Sequence, residues 1–119
     1  MGIAITNQMI EVSYDNAKKV YHKQIELGKA LDAIVATTGM GRGSALAYVH
    51  DFSQMMQGNE YHRTMNTRAT EYFLLNILND YGKEYFVNAL QAAKAHTEYY
   101  AKQGKGSLRA IEELVQRLF

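Results

Sequence analysis

Residues 27–57 read LGKALDAIVATTGMGRGSALAYVHDFSQMMQ, and this stretch decides the fold class. Leu27, Ala30, Leu31, Ile34 and Val35 stand at i, i+3, i+4, i+7 and i+8, the apolar stripe of an α-helix over about 27–38. Gly39 follows where a helix commonly ends in a left-handed residue. Residues 40–43 form a tight turn, and Ser44 is placed to cap a further helix through about Gln57. Ala45, Tyr48, Val49, Phe52 and Met56 give that helix its buried face. A helix, a short glycine turn and a second helix with apolar Ala45 and Val49 make a helix-turn-helix-like corner. In that geometry the N-terminal end of the second helix can enter a DNA major groove, with Arg42, Ser44 and Ala47 facing the groove, although many helical bundles contain such a corner with no DNA nearby.

The same periodicity extends in both directions. Thr6 can cap a first helix over about 7–24, with Ile10, Tyr14, Ala17 and Tyr21 on one face and Lys18, Lys19 and Lys23 outside it. Asn66 or Thr67 can cap a fourth helix to about Tyr81, whose centre YFLLNIL is apolar over most of its circumference and reads as central and buried. A fifth helix is expected over about 83–103, with Phe86, Ala89, Leu90, Ala93 and Tyr100 inward. Ser107 can cap a last one with Leu108, Ile111, Val115 and Leu118 inward. Glycines 39, 58, 82 and 104 stand at the ends of these segments, and strand-like alternation is almost absent. The expectation is a single all-α domain over residues 1–119, a compact bundle of about six helices.

Composition removes several function classes. The chain has 13 basic and 12 acidic residues and a formal charge of +1, which excludes a strongly basic nucleic-acid-coating protein. It has no cysteine, hence no disulfide scaffold, no thiolate nucleophile and no cysteine-ligated metal. No apolar run approaches the ~20 residues of a membrane span, and Met1 to Gln8 does not read as a signal peptide. A cytoplasmic protein without membrane association is expected. The four histidines form no HExxH and no Glu-x-x-His pair on a helix, so no metal site is expected. The GxG at Gly39 and Gly41 follows a helix and not a strand, which removes the dinucleotide reading. No cofactor and no catalytic residue are assigned. His96, three residues after Ala93 on an inward stripe, reads as a hydrogen-bonded, partly buried imidazole in preference to a catalytic one.

Two further features bear on binding. His62, Arg63, Thr64, Met65, Asn66, Thr67 and Arg68 carry two arginines and no acid, and they lead into a helix N-terminus. Free backbone N–H groups and the helix dipole there favour an anion, so His62, Arg63, Asn66 and Arg68 form a candidate phosphate contact. The competing reading is a capping loop with solvated arginines, or Arg63 paired to a neighbouring carboxylate. Residues 94–111 add Lys94, Lys102, Lys105 and Arg109 against Glu98, a local charge of +3, whereas residues 71–93 carry −2. Lys102, Lys105 and Arg109 extend the candidate DNA-binding set, although cations at the end of a helix also answer its dipole.

Residues 39–100 also resemble a known family. The carried pattern comprises Gly39, Met40, Arg42, Ser44, Ala45 and Tyr48; then Phe52, Met55 and Gly58; then Tyr61, Arg63, Thr64, Asn66, Ala69, Thr70 and Tyr72. It continues with Asp80, Tyr81 and Gly82, and closes with His96, Tyr99 and Tyr100. It is similar to the helical N-terminal module of bacterial HNH endonucleases, including McrA-like, modification-dependent restriction enzymes. The resemblance implies a head domain that helps a nuclease engage double-stranded DNA or assemble. It does not imply catalysis by this chain, which carries no His-Asn-His site. The alternative is a protein–protein module, acting as a homodimer or binding, regulating or inhibiting a partner protein.

Overall fold

The computed structural model describes residues 4–104 and 106–119. It contains six helices, with no strand among the described residues: α1 (Asn7–Tyr21), α2 (Leu27–Thr38), α3 (Arg42–Gln57), α4 (Thr67–Tyr81), α5 (Lys83–Lys102) and α6 (Arg109–Leu118). The protein is all-α, and none of these helices is long and apolar enough to cross a membrane. The chain divides into two compact units, residues 1–53 and 54–119.

In the first unit, Thr6 caps α1 as expected, its hydroxyl accepting from Met9 N at 3.1 Å. Ile10, Tyr14 and Ala17 are buried and Tyr21 half-buried. The helix stops at Tyr21, three residues early. Gln24 N–H bonds Lys19 O at 2.8 Å and Lys23 N–H bonds Val20 O at 3.0 Å, with Lys23 at φ +60°. This is a Schellman ending built on a lysine, and a lysine offers no sequence cue for it. The left-handed conformation costs a non-glycine residue about 1–2 kcal/mol.

α2 has the expected bounds, with Ala30, Leu31 and Ile34 buried and Gly39 at φ +77° closing it. Two members of its stripe are less covered: Val35 is half-buried, and Leu27 stands 42% exposed at the helix start. The turn to α3 is shorter than expected. Gly41 O already accepts from Ala45 N at 3.0 Å, so α3 opens at Arg42 and Ser44 lies inside the first turn, not at the cap. Met40 is buried in the turn, its Sδ accepting from the Ser13 hydroxyl at 3.3 Å. Phe52, fully buried, meets the rings of Tyr14 and Tyr21 edge-on at 5.5 and 5.8 Å.

In the second unit, Asn66 caps α4, its Oδ1 accepting from Ala69 N at 2.7 Å. Ala69, Thr70, Phe73, Leu74 and Ile77 form one buried face. The helix, expected to be central and buried, keeps one side open: Leu75 is 42% and Leu78 38% exposed. Gly82 alone joins α4 to α5. Its N–H closes the first helix on Leu78 O, and its carbonyl opens the second by accepting from Phe86 N. Thr64, ahead of α4, touches His96, late in α5, at 2.9 Å, so the two helices run back beside each other. The buried Ala89, Ala92 and Ala93 give α5 a shallow face on which neighbours approach closely. Phe86, expected inward, is half-buried. Asn88 Nδ2 donates to Met56 O at 3.1 Å, tying α5 to the last turn of α3.

Ser107 does not cap α6. The cap position falls on Leu108, half-buried, with no side-chain bond to the helix. Seating Leu108 and Ile111 outweighs a single cap hydrogen bond of about 1 kcal/mol. α6 packs on both α4 and α5.

Candidate nucleic-acid interface

The end of the second unit where α4 begins and α5 finishes gathers most of the candidate residues. Its foundation is His96, 1% exposed. The Nδ1–H of His96 donates to the carbonyl of Tyr61 at 2.6 Å. A carbonyl only accepts, so Nδ1 carries the proton in the neutral ring, and Nε2 accepts from the Thr64 hydroxyl at 2.9 Å. The Tyr61 ring stacks on the imidazole at 4.5 Å and 15°. One imidazole therefore fastens both ends of the segment from Tyr61 to Thr64. Burial pushes the His96 pKa below its ordinary value; the Tyr61 carbonyl and Glu60 oppose that shift and His62 adds to it. This agrees with the expected buried, hydrogen-bonded histidine.

Between the two fastened residues, His62 and Arg63 face outward. His62 stacks on Tyr99 of α5 at 3.9 Å and 12°, and its Nε2 lies 2.8 Å from a Glu60 carboxylate oxygen. Arg63 is exposed and makes no ion pair or hydrogen bond among the described residues. Its expected alternative, a pair with a carboxylate on a neighbouring helix, is not formed there. Asn66 is occupied as the cap, and Arg68 is exposed in the first turn of α4, a turn without acids. Lys102 is exposed one turn beyond Tyr99 on α5, and Arg109 is exposed in the first turn of α6. Lys105 lies outside the described residues.

Two of the acids near this end are engaged, and Glu98 on α5 and Glu112 in the first turn of α6 are further acids there. Glu60 holds His62, and Glu71 reaches Arg117 at 3.4 Å. Asp80 and Glu84 stand at the opposite end of the α4–α5 pair, beside Gly82. Asp80 and Glu84 thus lie at one end of the α4–α5 hairpin, and Arg68 and Lys102 at the other.

Arg42 and Ser44 belong to the first unit. Arg42 pairs with Asp32, both side chains more than half exposed, and Ser44 is half-buried. Ala47, expected to face a groove, is 7% exposed and points inward, because it shares the buried side of α3 with Tyr48 and Phe52. The outward positions there are Leu46 and His50. They border an apolar cleft of about 350 Å³ lined by Ala17, Tyr21, Leu27, Leu46, Val49 and His50. Sequence reasoning missed this cleft, since Leu27 lies on a stripe that reads as core.

It also missed the partners of His62 and His96. The available signal was local: His96 and Tyr99 at i, i+3 share a helix face, and the loop carries a second His–aromatic pair at Tyr61 and His62. Among the described residues, no three His, Cys, Asp or Glu side chains come together as metal ligands. Set against models of protein families, curated proteins and solved structures, the chain matches none.

Proposed function

We propose that this chain is a non-catalytic accessory module that engages double-stranded DNA through the basic end of α4, α5 and α6. The carrying observation is Arg63: exposed, without a counter-ion among the described residues, on a segment that His96 pins at Tyr61 and Thr64. A cation carried on a pinned segment that leads into a helix N-terminus suits a phosphate. Arg68, Lys102 and Arg109 extend the positive surface. The resemblance to the head module of HNH-type, modification-dependent endonucleases supplies the context: the module would hold duplex for a nuclease. Arg42 is a secondary contact. An exposed ion pair is worth about 0–1 kcal/mol, so a phosphate can displace Asp32 from it.

The test is a titration of duplex DNA at several salt concentrations. The double variant Arg63→Ala, Arg68→Ala should weaken binding to every duplex alike. It should also flatten the slope of log K against log salt by about two, close to one unit per lost phosphate contact. An unchanged slope, or wild type that binds no duplex at low salt, refutes the reading.

The cleft of the first unit favours a second reading, a protein-binding or dimerising module. Leu27 and Leu46 at its border are 42% and 43% exposed, and exposed apolar side chains beside a cleft suit a partner's apolar side chain. Leu46→Asp would abolish self-association or partner capture if that reading holds, and would leave DNA affinity unchanged if the first one does.

A further inference from the structure

The rings at the basic end form a series that phosphate binding does not use. Tyr61 stacks on His96, whose centroid lies 6.4 Å from that of Tyr99 at 26°, and Tyr99 stacks on His62 at 3.9 Å and 12°. The series runs from two buried rings to an exposed one.

His62 is held twice, its face by Tyr99 and its edge by the Glu60 carboxylate at 2.8 Å. Its side chain is nevertheless 58% exposed. With one face covered, the accessible area is the opposite face and the rim. A surface imidazole ordinarily turns freely about its side-chain bonds, and ordering it on binding costs entropy. Here that cost is met within the protein, by a stack and a hydrogen bond formed before any ligand arrives.

A flat ring held still, next in sequence to exposed Arg63 and stacked on Tyr99, one turn of α5 before Lys102, has the two parts of a single-strand contact: a surface for a base and cations for its backbone. Glu60 lies at the ring edge, which steers a phosphate away from that edge and toward Arg63.

We propose that the outer face of His62 is a stacking platform for an unpaired nucleobase, with the flanking phosphates of that strand against Arg63 and Lys102. The inference rests on the nucleic-acid reading and deepens it. In a perfect duplex both faces of each base are already stacked, so the platform is used only where a base stands out of the helix. The module should therefore prefer a duplex carrying an unpaired nucleotide.

The experiment measures, by fluorescence anisotropy, the affinity of the full chain for a labelled duplex and for the same duplex with a single-nucleotide bulge. Wild type should bind the bulged duplex more tightly. His62→Ala should abolish that preference, losing roughly tenfold more on the bulged duplex than on the paired one, the order expected for one base–aromatic stack. His62→Phe, which keeps a flat ring over Tyr99, should restore the preference. Equal affinity for both duplexes in the wild type, or a preference that survives in His62→Ala, overturns the platform while leaving duplex engagement standing. Failure to bind either DNA overturns the nucleic-acid reading and the platform with it.

Discussion

Replacing His96 tests the basic end at its foundation. His96→Ala removes the bond to the Tyr61 carbonyl, the bond from the Thr64 hydroxyl and the Tyr61 stack. Two hydrogen bonds at about 1 kcal/mol each, with about 1 kcal/mol for the stack, give a loss of about 3 kcal/mol. That is a large share of the ~5–15 kcal/mol available to a small protein. His96→Asn keeps a donor close to the Nδ1 position and should lose only about half as much. The pH dependence has a definite sign. Burial lowers the folded-state pKa of His96 below the ordinary 6.5, so below that pH the unfolded chain takes up the proton first. The contribution of neutral His96 to stability is complete above about 6.5 and falls as the solution is acidified toward the lowered folded-state pKa, below which it falls no further. Its slope in that window reaches at most about 1.4 kcal/mol per pH unit. Urea unfolding followed by circular dichroism, from about pH 8 to about pH 5, gives stability for wild type and His96→Asn. Subtracting the two cancels titrations that both proteins share, and the difference should narrow as pH falls. A loss below about 1 kcal/mol for His96→Ala, or a wild-type minus Asn difference that is flat with pH, refutes the role assigned to this imidazole.

Two other substitutions probe the framework. Phe52→Ala should cost about 3–5 kcal/mol in urea unfolding, since the ring is fully buried between Tyr14 and Tyr21 in edge-on contacts; a loss under about 1 kcal/mol would mean that the site collapses freely. Asn66→Ala should cost about 1 kcal/mol and fray the first turn of α4 in hydrogen exchange, whereas Asn66→Asp, which keeps the accepting oxygen, should not.

The parts of the candidate site differ in how far they can be read from the residues alone. Asn66 as the α4 cap and Thr6 as the α1 cap follow from local chemistry, because the accepting side chain lies three residues from the N–H that it satisfies. The early end of α1 was hidden because Lys23 holds a conformation usually marked by glycine. Ser44 and Ser107 mislead for the opposite reason: each is a good cap in isolation, and the helix starts were settled by seating Met40, Leu108 and Ile111. The exposure of Leu75 and Leu78 was not legible either, since a helix apolar over most of its circumference does not say which side lacks a neighbour.

The sequence by itself determined six helices, most of their ends and the rows of residues that face inward, because helix periodicity, capping and glycine turns act over four residues or fewer. It also determined that positive charge collects around residues 62–68 and 102–109. Only the tertiary structure decided what that charge surrounds. His96 meets Thr64 and Tyr61 across 32 and 35 residues of chain, through the single-residue turn at Gly82 that folds α5 back along α4. No local rule pairs an imidazole with a particular carbonyl at that separation. The pairing follows from which buried faces close on each other, and that closure sets Arg63 and His62 outward on a fixed segment.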